Sequence, residues 1–404
     1  MREDWEIKKL IDVCDVFTDG NWIESKDQSS DGIRLVQTGN IGFGFYKDKD
    51  EKARYISEET FIKLKCTEIL PGDVLVSRLP DPVGKSCIIP DINSKMITGV
   101  DCTIIRTKEF LDPTFLCYYQ MSNNYLKDVQ LRVTGTTRSR ISRKNLGLIE
   151  IPIPPLPEQH RIVSILDRSF AAIDKAKANT EQNLKNAKEL FESYLQDLFH
   201  NGHSWKNTTL GNVCSLITDG KHGNCQNEEK SGFYFLSAKD VRNDTLLFEN
   251  GRQITEKDFY ETHQRTDLKP GDICIINTGA TIGRMAFAPN DPRTYKTTFQ
   301  KSVAVIKTLP EFIDNKFCAY LLKADLKTLV KISAGTAVPN LLLGDIKRHQ
   351  IKVPSTIKEQ KQIVQKLDEL SEKTKKLEQV YQQKITNLDE LKKSILQKAF
   401  RGEL

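Results

Sequence analysis

No stretch of this 404-residue chain reaches the roughly 18 consecutive apolar residues that a membrane-crossing helix needs, and mean hydropathy is −0.45 with 38% hydrophobic residues. A helical membrane protein is excluded, and no membrane partner is expected. The opening residues, Met1-Arg2-Glu3-Asp4-Trp5, are charged from the start. No secretory leader is therefore expected, and the anticipated location is cytoplasmic. Cysteine is sparse and unpaired: nine residues stand singly at 14, 66, 87, 102, 117, 214, 225, 274 and 318, with no CxxC among them. That argues against both a disulfide scaffold and a zinc site, and predicts reduced, buried thiols.

The signatures of catalysis are missing too. Gly84-Lys85-Ser86 ends like a phosphate-binding loop, but Leu79 stands where its first glycine is required. None of the three Asp-Pro pairs, at Asp81, Asp112 and Asp291, belongs to the Asn/Asp-Pro-Pro-Tyr/Phe sequence of adenine-flipping methyltransferases. The six histidines form no HExxH pair, and there is no Gly-x-Ser-x-Gly elbow. The expectation is a chain with no catalytic centre, no metal and no cofactor of its own.

What is present is a duplication. Trp5, Leu10, Val13, Cys14 and Thr18-Asp19-Gly20 recur as Trp205, Leu210, Val213, Cys214 and Thr218-Asp219-Gly220. Pro71-Gly72-Asp73-Val74 returns as Pro270-Gly271-Asp272-Ile273, and Val83-Gly84-Lys85 as Ile282-Gly283-Arg284. Ile151-Pro152-Ile153-Pro154 returns as Ile351-Lys352-Val353-Pro354, followed by Glu158-Gln159 and Glu359-Gln360. So many matches in one order, drifting by a residue or two, exclude chance, and a period near 200 is too long for a solenoid unit. Approximate twofold symmetry within the chain follows.

Each copy has two parts. Residues 1–155 and 201–355 mix short strand-like runs with Gly, Pro and Asp turns, and a few helical stretches such as 112–129 and 311–331; the class is α+β. Asp73–Ser77 and Asp272–Ile276 read as buried strands entered through a Pro-Gly-Asp turn. Residues 156–200 and 356–404 are the second parts. The stretches 158–200 and 359–401 contain neither Gly nor Pro, Thr356 and Glu359 form a capping box, and Gly402 follows the end. Apolar residues fall 3 or 4 apart: Ile162, Leu166, Phe170, Ile173, Ala176, Leu184, Ala187, Phe191, Tyr194, Leu198, then Ile363, Leu367, Leu370, Leu377, Tyr381, Ile385, Leu388, Leu391, Ile395, Ala399. The stripes predict two long helices joined antiparallel in a coiled coil, with one globular domain at each end.

Net charge is +6, carried by the second half: residues 1–200 hold 28 Lys and Arg against 30 Asp and Glu, residues 201–404 hold 32 against 24. Local clustering says more than the total. Residues 132–144 carry Arg132, Arg138, Arg140, Arg143 and Lys144 with no acid, interleaved with Thr136, Thr137, Ser139 and Ser142. Arginine grips phosphate or takes guanine O6 and N7, and hydroxyls bond either; a solvated basic loop would have the same composition. The matching loop, Gly335-Thr336-Ala337-Val338-Pro339-Asn340, is neutral. Two copies of one scaffold with unlike loops would read two unlike sequences. Further candidate contacts lie on matched turns: Gln37, Asn40, Arg78 and Lys85 in the first copy, and Lys221, His222, Lys239, Thr278, Thr281 and Arg284, with Thr336 and Asn340, in the second.

Pro154-Pro155-Leu156-Pro157-Glu158-Gln159, followed by Ile162-Val163 and Leu166-Asp167, resembles the junction motif of type I restriction–modification specificity subunits, as does the closing segment Leu391 to Leu404. The second junction departs from it, with Ser355-Thr356-Ile357-Lys358 replacing the Pro-Leu-Pro run. The resemblance covers the whole chain. It implies two target recognition domains reading the halves of a bipartite site in double-stranded DNA, with the helices as a ruler. It also implies docking of two methyltransferase (modification) subunits that bind S-adenosylmethionine and methylate adenine, and motor-nuclease (restriction) subunits for host defence. A protein-binding scaffold, a self-sufficient methyltransferase and a repressor-like DNA binder are the alternatives; the missing donor motifs speak against the second, and the helix length is unexplained by the third.

Overall fold

The computed structural model describes residues 5–135, 139–200, 205–332 and 340–404. The chain forms two compact units, one of residues 1–181 with 383–404 and one of residues 182–382.

In the first unit an antiparallel sheet is built from β1 (Cys14–Asp19), β2 (Val74–Ser77), β3 (Ser86–Ile88) and β4 (Cys102–Thr107), in spatial order β1-β4-β2-β3. The Pro-Gly-Asp turn works as its composition predicts. Gly72 sits at φ +91°, a region that penalises any Cβ, and Asp73 accepts the Leu70 N–H at 2.8 Å. The Asp73 carboxylate then takes a bidentate grip from Arg106 of β4, at 2.8 and 2.7 Å. A smaller sheet pairs Ile33–Val36 in parallel with Met96–Thr98, which delivers the turn beginning at Gln37 to the surface. The strand Glu6–Lys9 closes antiparallel on Glu150–Ile153, just before the first long helix, α1 (Leu156–His200).

The second unit repeats the plan with β5 (Cys214–Asp219), β6 (Ile273–Ile276), β7 (Met285–Phe287) and β8 (Val303–Thr308), ordered β5-β8-β6-β7. Lys206–Thr209 closes on Gln350–Val353 ahead of the second long helix, α2 (Ile357–Ala399). The helical stretches differ between copies. Ser122 accepts the Tyr125 N–H and so starts a new helix, splitting the first stretch into Pro113–Gln120 and Asn123–Arg132. Ala324 stands at the matching position, cannot cap, and Asn315–Ile332 runs unbroken.

α1 runs for 45 residues and α2 for 43, and Thr356 Oγ1 accepts the Glu359 N–H at 3.2 Å. In the first unit they run antiparallel, with Lys177 to Asp389 at 2.7 Å and Lys392 to Asp174 at 2.8 Å. Each domain core is completed by the far end of the helix that began at the other copy. Phe400 lies edge-on to Phe115 at 5.3 Å in the first unit, and Phe199 edge-on to Phe317 at 5.3 Å in the second. The seam slips from its predicted register near those ends. Leu195 and Phe199 are buried, whereas Tyr194 and Leu391 face outward, because the last turns pack on a domain and no longer only on a helix; Leu377, at the middle of α2, is exposed as well. All nine cysteines are free thiols, eight buried and Cys14 half-buried; burial pushes Cys87 and Cys102 up to about 12 and Cys117 to about 11.

Candidate nucleic-acid interface

The predicted contacts of the first unit divide into those that hold the scaffold and those that face solvent. Arg78, at the end of β2, is only 4% exposed. Its guanidinium meets Asp19 Oδ2 at 3.2 Å and donates to the Val100 carbonyl. Its backbone N–H donates to Asp101 O at 2.9 Å and its carbonyl accepts from Ile141 N at 3.3 Å. Burial pulls this arginine below its usual pKa, against the attraction of Asp19, and the nearby charge of Arg140 pulls the same way. Sequence reasoning offered Arg78 as a DNA contact; the structure places it inside, as a strut between the end of β1, the 100–101 turn and the basic loop. Asn40 also lies inside. Its Oδ1 accepts from Gln37 N at 3.0 Å and its Nδ2 donates to Lys47 O at 3.0 Å, so every strong bond it makes goes to its own turn.

Around these struts lies an open cleft of about 210 Å³ lined by Asn21, Trp22, Gln37, Thr38 and Asp101 among others. Trp22 is 70% exposed, an unusual setting for so large a ring. One flank is the basic loop. Thr134 and Arg140 exchange two backbone hydrogen bonds of 2.9 Å, the Arg140 guanidinium reaches Asp101 at 3.3 Å, and the exposed Arg143 donates to Thr18 Oγ1 at 3.2 Å. Ser139 is exposed; Thr136, Thr137 and Arg138 lie outside the described residues. The other flank is also cationic. Gln37 lines a neighbouring cleft of about 180 Å³ with Gly39, Lys49, Lys52 and Arg54. Lys85, bonded through Nζ to Asp81 O at 3.1 Å, is held below its usual pKa by burial and by Lys47 and Lys49, against the pull of Asp81. Crowded cations of this kind are relieved by an anion. A stacking ring and amide groups between two cationic flanks suit base edges bordered by phosphates.

The second unit keeps the frame and changes the side chains. Gly20 and Gly220 are both required by close passage of backbone, since a Cβ would lie 2.2 Å from Thr98 O and 2.1 Å from Phe299 O. The Arg78 position is Asn277, whose N–H donates to Ser302 O at 3.1 Å and whose carbonyl accepts from Leu341 N at 2.7 Å, the same backbone pattern. Asp219 is held instead by Arg265, and by His222 Nε2 at 2.9 Å. Burial would raise its carboxyl pKa, but those two bonds more than offset it and hold it below the usual range. Asn340 replaces Arg140 and accepts from Thr278 Oγ1 at 2.8 Å; Arg284 replaces Lys85 and donates to Ala238 O and Thr281 Oγ1, both at 3.0 Å. His222 and Lys239 are exposed, Lys221 is half-buried, and Thr336 lies outside the described residues. Trp22, Gln37 and Asp101 thus correspond to His222, Ser237 and Ser302.

Sequence reasoning passed over Trp22, Asp101, Lys47, Lys49 and the Asp19 and Asp219 carboxylates. The repeated Thr-Asp-Gly was a usable signal for the last two, because an acid kept beside an obligatory glycine in both copies marks a structural partner. Among the described residues no cluster of three or more metal-ligating side chains occurs, and no helix is long and apolar enough to cross a membrane.

The model of the type I restriction modification DNA specificity domain matches the chain twice, over residues 2–186 and 203–387. The specificity subunit of the type I restriction enzyme StySPI from Salmonella potsdam is 26% identical over 403 residues, covering 93% of this chain and 83% of the relative. That of EcoKI from Escherichia coli K12 is 24% identical over 400 residues, with the same coverage. The fold is shared with a chain from a structural study of complex assembly and conformational transition of the type I R-M system, at a TM-score of 0.82, 20% identity and coverage of 100% and 99%. It is shared as well with the HsdS subunit from Thermoanaerobacter tengcongensis, at 0.62, 18%, 100% and 98%.

Proposed function

The chain belongs to the type I restriction–modification DNA specificity family, and from that membership we propose that it reads a bipartite site in double-stranded DNA, one half with each domain, and carries out no chemistry itself. The observation that carries this reading is the duplicated backbone frame around Gly20 and Gly220, which holds unlike side chains in the two copies. One copy presents Trp22, Gln37 and Asp101 between arginine and lysine flanks, and the other carries His222, Ser237 and Ser302 at the matching positions. Such a pair distinguishes two unlike half-sites while approaching DNA in the same way.

The helices supply spacing and attachment. At 1.5 Å per residue, α1 and α2 are about 68 and about 64 Å long. A rigid strut lets two readers meet a duplex at one separation, which makes the spacer part of the recognised sequence. The outward-facing Leu190 and Tyr194 of α1, and Leu377, Val380 and Leu391 of α2, are the residues we assign to docking two adenine methyltransferase subunits. Those partners bring S-adenosylmethionine and flip the target base; motor-nuclease subunits join to cleave unmodified DNA. The complex acts on DNA in the cytoplasm.

Co-expression with a cognate methyltransferase, followed by genome-wide mapping of methylated adenine, tests the proposal. The expected result is one two-part motif with a fixed spacer, and the Trp22→Ala, Gln37→Ala double variant relaxes one half while leaving the other intact. A single contiguous motif, or relaxation of both halves together, overturns it.

A further inference from the structure

Both domain–helix junctions are held by the same side chain in the same way. Gln159, in the first turn of α1, is fully buried. Its Oε1 accepts the Asp112 N–H at 2.8 Å, and its Nε2 donates to Phe110 O at 2.9 Å and Pro154 O at 2.8 Å. Gln360 of α2 repeats every bond: Asp314 N at 2.8 Å, Phe312 O at 3.0 Å and Pro354 O at 3.3 Å. One carboxamide thereby ties helix, closing strand and the loop before the domain's own helix. Glutamate lacks the donors, asparagine is one methylene short and leucine has neither donor nor acceptor, so the position is chemically exacting.

A second tie lies eight residues along each helix, about 12 Å away. Tyr118 donates to Asp167 in the first unit, and Tyr320 donates to Asp368 Oδ1 at 2.7 Å in the second, where Lys316 also reaches Asp368 at 2.6 Å. Burial and then the bond to the carboxylate raise both phenols above their usual pKa. Two anchors separated along a rod block the rotation that either alone would allow.

We propose that Gln159 and Gln360, backed by the Tyr118–Asp167 and Tyr320–Asp368 bonds, are positioning residues for spacer fidelity. They touch no base and no phosphate; they fix the direction in which each domain leaves its helix. One base pair of spacer amounts to roughly 3.4 Å and about 34° of phase, so angular slack at either junction converts directly into tolerance of a wrong spacer. The inference rests on the bipartite reading above.

The test uses the full chain assembled with its methyltransferase. Variants are the double Gln159→Leu, Gln360→Leu and, as a milder pair that removes only two hydroxyls, Tyr118→Phe, Tyr320→Phe. Methylation is counted at sites carrying the native spacer and at sites one base pair longer or shorter. The ratio of native to off-spacer methylation is expected to fall about tenfold in the glutamine pair and about threefold in the tyrosine pair, with both half-site sequences unchanged. An unchanged ratio in the tyrosine pair, or altered half-site bases in either, overturns the proposal. A parent complex that methylates no two-part motif sinks the underlying reading instead.

Discussion

Replacing Phe400 by alanine should open the first domain while leaving the second closed, and Phe199→Ala should do the reverse. Phe400 is 2% exposed, with its ring 5.3 Å from Phe115 and 5.2 Å from Tyr119, both edge-on. Burying about 150 Å² of ring at about 25 cal/mol per Å² is worth about 4 kcal/mol. The two edge contacts add to that, while inward relaxation of the last helical turn takes some away, and large-to-small core changes of this type cost about 3–5 kcal/mol. Phe199 has the same relation to Phe317 at 5.3 Å and Trp205 at 6.1 Å, so a similar cost is expected. A loss near 3.5 kcal/mol raises the exchange of unfolding-dependent amides by about 300-fold. Hydrogen-exchange mass spectrometry resolves where it falls. Peptides covering Cys102–Thr107 should speed up in Phe400→Ala, and those covering Val303–Thr308 in Phe199→Ala. If Phe400→Ala changes the first set less than threefold, or speeds both sets equally, the swapped helix ends are not closing the domain cores and the reasoning fails.

The basic flank should be visible in salt dependence. The Arg140→Gln, Arg143→Gln double variant removes two phosphate contacts at about 0.9 each from the slope of log affinity against log salt, so raising salt from about 50 to about 200 mM should cost it about twelvefold less affinity than the parent; an unchanged slope in fluorescence anisotropy would remove both arginines from the DNA contact. Gly20→Ala forces a methyl to within 2.2 Å of Thr98 O and should destabilise by about 2–3 kcal/mol in thermal unfolding, whereas Gly99→Ala, where an added Cβ meets nothing within 4 Å, should be close to neutral. Equal effects at the two glycines would refute the close-approach argument. Deleting one heptad from each long helix at the same level preserves the apolar register and removes about 10.5 Å, so mapped methylation should show a spacer about three base pairs shorter with both halves unchanged; an unaltered spacer would end the ruler model.

The parts readable from residue order were those ruled by local chemistry or by repetition. The Pro-Gly-Asp turns declared themselves because a left-handed glycine and a capping aspartate are local requirements, and the long helices did so through the absence of breakers and the cap at Thr356. The duplication needed only the constant offset. What lay beyond reach depended on partners distant in the chain. Arg78 looks like a surface cation until Asp19 and Val100 close around it, and nothing adjacent to Asn40 announces that its own turn uses up its bonds. The cleft wall at Trp22 comes into being only when Gln37 and Asp101 arrive from two other loops. The apolar stripes could place a seam but not the turn at which Leu195 and Phe199 leave it for a domain core, because a helix of 3.6 residues per turn meets a curved core and a straight partner at different residues. Periodicity and turn chemistry are properties of neighbours along the chain, whereas burial and charge pairing belong to neighbours in space, and only folding establishes which those are.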